Sequence, residues 1–179
     1  MPPSALHTVS LRPFTGQSGV VRSLTVHAQR LEPEILDLRY VLCADMSRVR
    51  VPRTRPPRHT DELWRHTCFE MFIRRAGGSP AYYELNASPS SRWALYGFDA
   101  YRSNMTAVVP SRPPQVHVVH EVDRLEVEVL ADLSGLPCTG EMTLSAVIED
   151  HEGGLSYWAP EHPAHEPDFH HPGGFVIST

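Results

Sequence analysis

Most of the readable chain has a period of two. In "ILDLRYVL", Leu36, Leu38, Tyr40 and Leu42 fall on one face, and in "RLEVEVLAD" Leu125, Val127 and Val129 alternate with Glu126 and Glu128. Successive side chains of a strand point to opposite faces, so the alternation predicts strands with one buried and one wet face. The rhythm continues in "TVSLRPF", "SLTVHAQRL", "HTCFEMFIRR", "AYYELNAS", "SRWALYGFDAY", "QVHVVHEV", "MTLSAVIED" and "LSYWA", giving about ten candidate strands. Asp123-Arg124 links two of them as a hairpin, and Gly153-Gly154 marks another hairpin turn. Helical periodicity is scarce: "LADLSGL" could make one turn, and Ser88 could cap a short helix in "SPSSRWALYGF". Short strands separated by turn signals predict an all-β fold with little helix, an antiparallel β-sandwich of jelly-roll or immunoglobulin-like kind. Residues 46–60 and 159–174 read as long loops. No repeat or second domain is visible, so residues 1–179 are expected to form a single domain.

One strand breaks the pattern. In "HTCFEMFIRR", Thr67, Phe69, Met71 and Ile73 make the natural core face, which leaves Glu70 on the opposite face beside Cys68 and Phe72. "AYYELNASP" repeats the arrangement: Tyr83, Leu85 and Ala87 face one way, and Tyr82, Glu84, Asn86 and Ser88 the other. Two neighbouring strands thus each carry a carboxylate on the non-core face, with aromatics and an amide. Planar polar groups beside rings suit a polyhydroxylated ligand, because carboxylate and amide bond to hydroxyls while rings cover the C–H face. The competing reading pairs Glu70 with Arg65 or Arg92 as an ordinary charged network.

Composition narrows the partners. The net charge is −5, and all sixteen basic residues are arginine. That balance argues against a nucleic-acid partner, and Arg48, Arg50, Arg53, Arg55 and Arg58 read as a solvated, proline-stiffened loop. Cys43, Cys68 and Cys138 have no close pair and form neither a disulfide framework nor a zinc ribbon, which suits a reducing compartment. "MPPSALHTVSLRPF" lacks the pattern of a signal peptide, and no apolar stretch approaches the ~20 residues of a membrane span. A cytoplasmic protein with no membrane partner is expected.

"LWRHTCFEMFI", "YYELNASPSSRWALYGFDAYR" and "LSAVIEDHEGGLSYWAPEHPAHEPDFHHPGGFVI" resemble bacterial DOMON-like proteins, relatives of carbohydrate-binding module family 9. The resemblance runs from Asp61 to Arg102 and from Leu144 to Ile177. It implies a β-sandwich with a ligand site over one sheet, where a sugar is clamped between two tryptophans above polar side chains. On that pattern Trp64, six residues before Glu70, matches the first clamp tryptophan. Glu84 matches a second polar contact, Arg92 lies near the family's arginine, and Trp158 is the candidate for the second wall. The expected ligand-binding set is therefore Trp64, Glu70, Glu84, Asn86, Arg92 and Trp158, with His162 and His170 from the tail. The family 9 modules are secreted and calcium-stabilised, whereas this chain shows no oxygen-ligand loop.

The tail "WAPEHPAHEPDFHHPGG" gathers His162, His165, His170 and His171 with Glu161, Glu166 and Asp168. Their spacing lacks the regularity that fixes metal ligands, and the prolines make it an irregular loop, so it reads as a lid in which Phe169 and His170 close over the sheet face. Eukaryotic DOMON domains bind haem through Met and His, but Met71 is on the core face and no Met–His pair is evident; no cofactor and no metal are expected. Two other classes compete with a non-catalytic binding domain. Glu70 and Glu84, if directly cross-strand, would stand ~5 Å apart and could serve a retaining glycoside hydrolase. A scaffold protein would instead cover an apolar patch around Trp64 and Trp158 with a partner. Cys68 and His66 make a conceivable thiolate–imidazole pair.

Overall fold

The computed structural model describes residues 6–14 and 19–178; the first five residues of the terminal stretch read above lie outside the described residues. Twelve strands follow in chain order: β1 (His7–Pro13), β2 (Val21–Glu32), β3 (Ile35–Ala44), β4 (Cys68–Arg75), β5 (Tyr82–Ala87), β6 (Trp93–Phe98), β7 (Thr106–Ala107), β8 (Gln115–His120), β9 (Arg124–Asp132), β10 (Cys138–Glu149), β11 (Leu155–Ala159) and β12 (Ile177–Ser178). The ten segments of alternating pattern are all strands. β7 and β12, of two residues each, are too short to leave a periodic signal. The ambiguous "SRWALYGF" is strand β6, not a capped helix, and all six residues of β6 are buried.

All pairings between the named strands are antiparallel, in the order β7-β6-β5-β4-β10-β11-β1-β2-β3-β9-β8, with β12 also on β10. The sheet curls into a half-barrel. Its ladder is continuous because β1 pairs with β2 from His7 to Leu11 and with β11 at Arg12 and Pro13. At the β10–β11 turn, Asp150 Oδ1 accepts from the backbone N–H of Glu152 and Gly154, at 2.9 and 2.7 Å. A Cβ on Gly154 would stand 2.6 Å from Asp150 Oδ2, so a larger residue there would displace the Asp150 carboxylate that caps the turn.

The concave face holds one apolar core. Leu24, Leu38, Leu42, Val127, Met71, Leu85 and Leu144 are among its fully covered members, drawn from both halves of the sheet. Burial of that apolar area is the main force closing the curl. Tyr40 of β3 ties the halves directly: its ring lies 5.0 Å from that of Phe69, and its hydroxyl donates to the Glu70 carbonyl oxygen at 2.7 Å. A second cluster lies on the other side of β4–β6, where Phe72, Tyr82, Ala94, Tyr96 and Phe98 are buried beneath Leu63, Trp64, Phe169 and Phe175. This part of the sheet is covered on both faces, and every residue of β5 and β6 is buried.

Tyr40→Phe keeps the ring and deletes a hydroxyl that spans the core. It should lower unfolding free energy by about 1–3 kcal/mol in a denaturant titration, because the buried Glu70 carbonyl loses its donor. An unchanged midpoint would show that the hydrogen bond contributes nothing to closing the sheet.

Candidate functional site

On the outer face, side chains fall into rows set by the register. Ser145, Glu70, Asn86 and Ala94 form one row across β10, β4, β5 and β6; Thr143, Phe72, Glu84 and Tyr96 form the next. Glu70 is therefore opposite Asn86, and Glu84 is its diagonal neighbour, not its direct cross-strand partner. Diagonal positions are separated by roughly 7–8 Å at Cα, so the opposed geometry read for a retaining hydrolase is absent.

Both acids are sealed: Glu70 is 2% exposed and Glu84 4%. Asn86 donates its amide N–H to Glu84 Oε1 at 2.7 Å, and Ser145 Oγ approaches Glu70 Oε2 at 3.4 Å. Glu70 Oε1 and Asn86 Oδ1 are buried without a hydrogen-bond partner. Burial above all, then the neighbouring Glu84, drives the Glu70 carboxyl well above the ordinary carboxylate range, against a small opposing pull from Ser145. Burial lifts Glu84 to about 7, with the Asn86 hydrogen bond and the Arg102 charge working against the rise.

A cleft of about 340 Å³ opens above this floor. Glu70, Glu84 and Val147 lie at its base, Trp64, Phe98, Tyr157 and Phe169 supply rings, and Arg102 and His170 line one side. Trp64 is carried by a 3-10 turn, Leu63–Arg65, and packs edge-on against Tyr96 at 5.9 Å. The tail crosses the cleft and is pinned at Asp168, which accepts from Tyr101 Oη at 2.6 Å and from the Arg102 guanidinium at 2.8 Å. Its next contact is a relay: the Arg102 backbone N–H donates to Tyr82 Oη, and that hydroxyl lies 2.8 Å from His170 Nδ1. With Tyr82 donating, the proton of a neutral His170 sits on Nε2, which faces Glu84 Oε2 at 3.7 Å. Burial and Arg102 hold His170 down to about 4, so at neutral pH this approach is a dipole against a carboxyl and not an ion pair.

Of the residues singled out by sequence, Trp64, Glu70, Glu84 and His170 line the cleft, and Asn86 braces its floor. Three lie elsewhere. Trp158 is 4% exposed and belongs to the main core, with its indole N–H on Ser156 Oγ at 2.9 Å. Alternation along β11 turns Trp158 inward and Tyr157 outward, so Tyr157 takes the wall position expected of Trp158. His162 packs edge-on to Phe14 and bonds the Arg12 carbonyl. Arg92 is turned to Thr60 Oγ1 at 3.2 Å, and Arg65 is held by Glu62 at 2.8 Å. The arginine beside the acids is Arg102, in the loop after β6, where no periodicity could flag it. Cys68 and His66 do not form a reactive pair: His66 bonds Glu149 at 2.8 Å, and burial drives the Cys68 thiol well above its ordinary range. Among the described residues no three metal-ligating side chains converge, and no helix is long and apolar enough to cross a membrane.

No protein-family model matches the chain, and no curated protein matches it in sequence. A crystal structure described as a "putative carbohydrate-binding protein" from Bacteroides uniformis is similar in fold, with a TM-score of 0.64 at 13% identity, covering 95% of this chain and 84% of that one. At that identity the likeness shows the fold alone.

The raised carboxyls set a pH dependence. Each keeps its proton to higher pH in the folded chain than in the unfolded one, where the ordinary value is 4.5. Their destabilising effect is absent below that value and grows as pH rises, through about 7 for Glu84, with Glu70 shifted in the same direction. Glu84→Gln should therefore gain stability over the parent near pH 8, by up to about 3 kcal/mol, and gain little near pH 4.5. Urea titrations of both proteins across that range measure the difference; a gap that does not widen with pH would show that Glu84 is not held protonated.

Proposed function

We propose that the chain binds a small polyhydroxylated, sugar-like ligand in the outer-face cleft and does not turn it over. The observation that carries this reading is Glu70 Oε1, a buried acceptor without a partner at the base of an aromatic-walled cleft. A buried polar atom left unpaired costs roughly 1–3 kcal/mol, which a ligand hydroxyl or other donor would recover. The cleft volume falls in the range of small-molecule sites, and Trp64, Tyr157 and Phe169 offer ring surface to a sugar's C–H face. The fold likeness to a protein described as carbohydrate-binding supports the same direction. With this goes the reading of the chain as one DOMON-like, two-layer domain related to family 9, working in a bacterial cytoplasm.

Hydrolysis is the second reading, favoured by one observation: two carboxyls of unequal environment share the cleft, as acid and base pairs do. Their diagonal placement and the absence of an opposed pair make binding the better account.

A thermal-shift panel of monosaccharides, disaccharides and nucleotide-sugars tests the proposal, since a ligand that binds only the folded state raises Tm with concentration. At least one member should do so. Trp64→Ala or Phe169→Ala should then weaken binding about tenfold by calorimetry, through lost ring contacts, whereas Trp158→Phe should change stability and leave affinity alone. A panel with no shift, or affinity that follows Trp158 and ignores Trp64, would remove the cleft as the site. Release of aryl-glycoside product that vanishes in Glu70→Gln would favour hydrolysis.

A further inference from the structure

Among the described residues no cation makes an ion pair with Glu70, and the charge nearest Glu84, Arg102, is shared with Asp168. Among the described residues Arg102 is the one arginine lining the cleft, and it is committed to Asp168 at 2.8 Å. The other arginines near this face are turned away: Arg92 to Thr60, Arg65 to Glu62, and Arg74 to Glu141 at 2.9 Å and to the ring of Phe175. The uncharged titratable groups beside the acids are Cys68, Tyr82, Tyr96, Tyr40 and His170, and burial favours the neutral form of all five. With both carboxyls ionised the cleft would therefore hold two negative charges in excess, one of them ending in the unpartnered Glu70 Oε1. Around them stand the rings of Trp64, Phe98, Tyr157 and Phe169.

Neutral hydroxyls satisfy hydrogen bonds to the protonated acids but give no compensation once either acid ionises. A cation does both: charge-assisted bonds to carboxylate are about twice as strong as neutral ones, and ring faces attract positive charge. An anionic ligand would meet repulsion from either acid once ionised. We infer that the ligand presents a protonated amine to Glu70 and Glu84, which narrows its class from neutral sugars to an amino sugar. This rests on the cleft being the binding site. Burial favours the protonated form of both acids, so seating an ammonium against them displaces proton to solvent.

Calorimetry on the whole chain with glucosamine, N-acetylglucosamine, glucose and putrescine as probes separates the possibilities. Glucosamine should bind at least tenfold more tightly than N-acetylglucosamine or glucose. Its heat should depend on the buffer's ionisation enthalpy in the sense of proton release. Glu70→Gln should abolish this preference and the proton release together; Glu84→Gln, which retains an acceptor for Asn86, provides a second test should the first variant fold poorly. Putrescine binding as tight as glucosamine, with the same proton release, would support the ammonium and place it on an aliphatic amine, not a sugar. N-acetylglucosamine or glucose binding as tightly as glucosamine would overturn the inference and leave the sugar site standing. Glucosamine binding unchanged in both variants would overturn it as well. If none of the four probes binds, the inference falls, and a positive from the wider carbohydrate panel would show that the cleft reading survives without it.

Discussion

Two carboxylates on a sheet face that is covered, not wet, constrain everything built around them. Leaving Glu70 and Glu84 to water would need nothing further, since a charged residue on an exposed strand is ordinary chemistry. Covering them takes ionised oxygen out of solvent, which is among the most unfavourable changes a fold can make. The chain meets it with hydrogen bonds from Asn86 and Ser145, with proton retention, and with a tail held down at Asp168 by Tyr101 and Arg102. The tail's prolines and histidines then have a use other than metal binding: they make an irregular strap whose His170 reaches the floor through Tyr82.

Glu70 also joins the site to the core. Its carbonyl oxygen receives the Tyr40 hydroxyl from the opposite half of the sheet, while its carboxyl emerges into the cleft on the other side of β4. The backbone under the acid is thus fixed by the same packing that closes the half-barrel. A site mounted on such a strand holds its geometry better than one mounted on a loop, and the floor and the core form one mechanical unit.

Strand positions, the inward faces of β3, β4, β5 and β9, and the shared outer face of Glu70 and Glu84 were legible because period two is a local signal. Register was not. Glu70 pairs with Asn86 because of how the chain turns between Arg75 and Ala81, and a change of two residues there would have opposed it to Glu84. Trp158 was misplaced for a different reason. Its residue type suggested a clamp, yet the alternation in "LSYWA", read against Ala146 and Ile148 across the hairpin, turns it to the core with Ser156 and leaves Tyr157 outside. Arg102 lies in a loop, and only the folded chain brings it beside Glu84.

The covered face also explains why a wet-strand account of Glu70 fails. A residue kept only for solubility would be reached by water, and its pairing with arginine would be the natural outcome. Here every nearby arginine except Arg102 points elsewhere, and Arg102 neutralises Asp168 before it can neutralise Glu84. Replacing a buried ion pair by apolar residues is often neutral or stabilising, so buried acids are poor stabilisers even when paired. A fold assembled for stability alone would have filled these positions with leucine. Two acids in a space walled by aromatic rings, one with an empty acceptor, make sense as a polarity that a ligand completes.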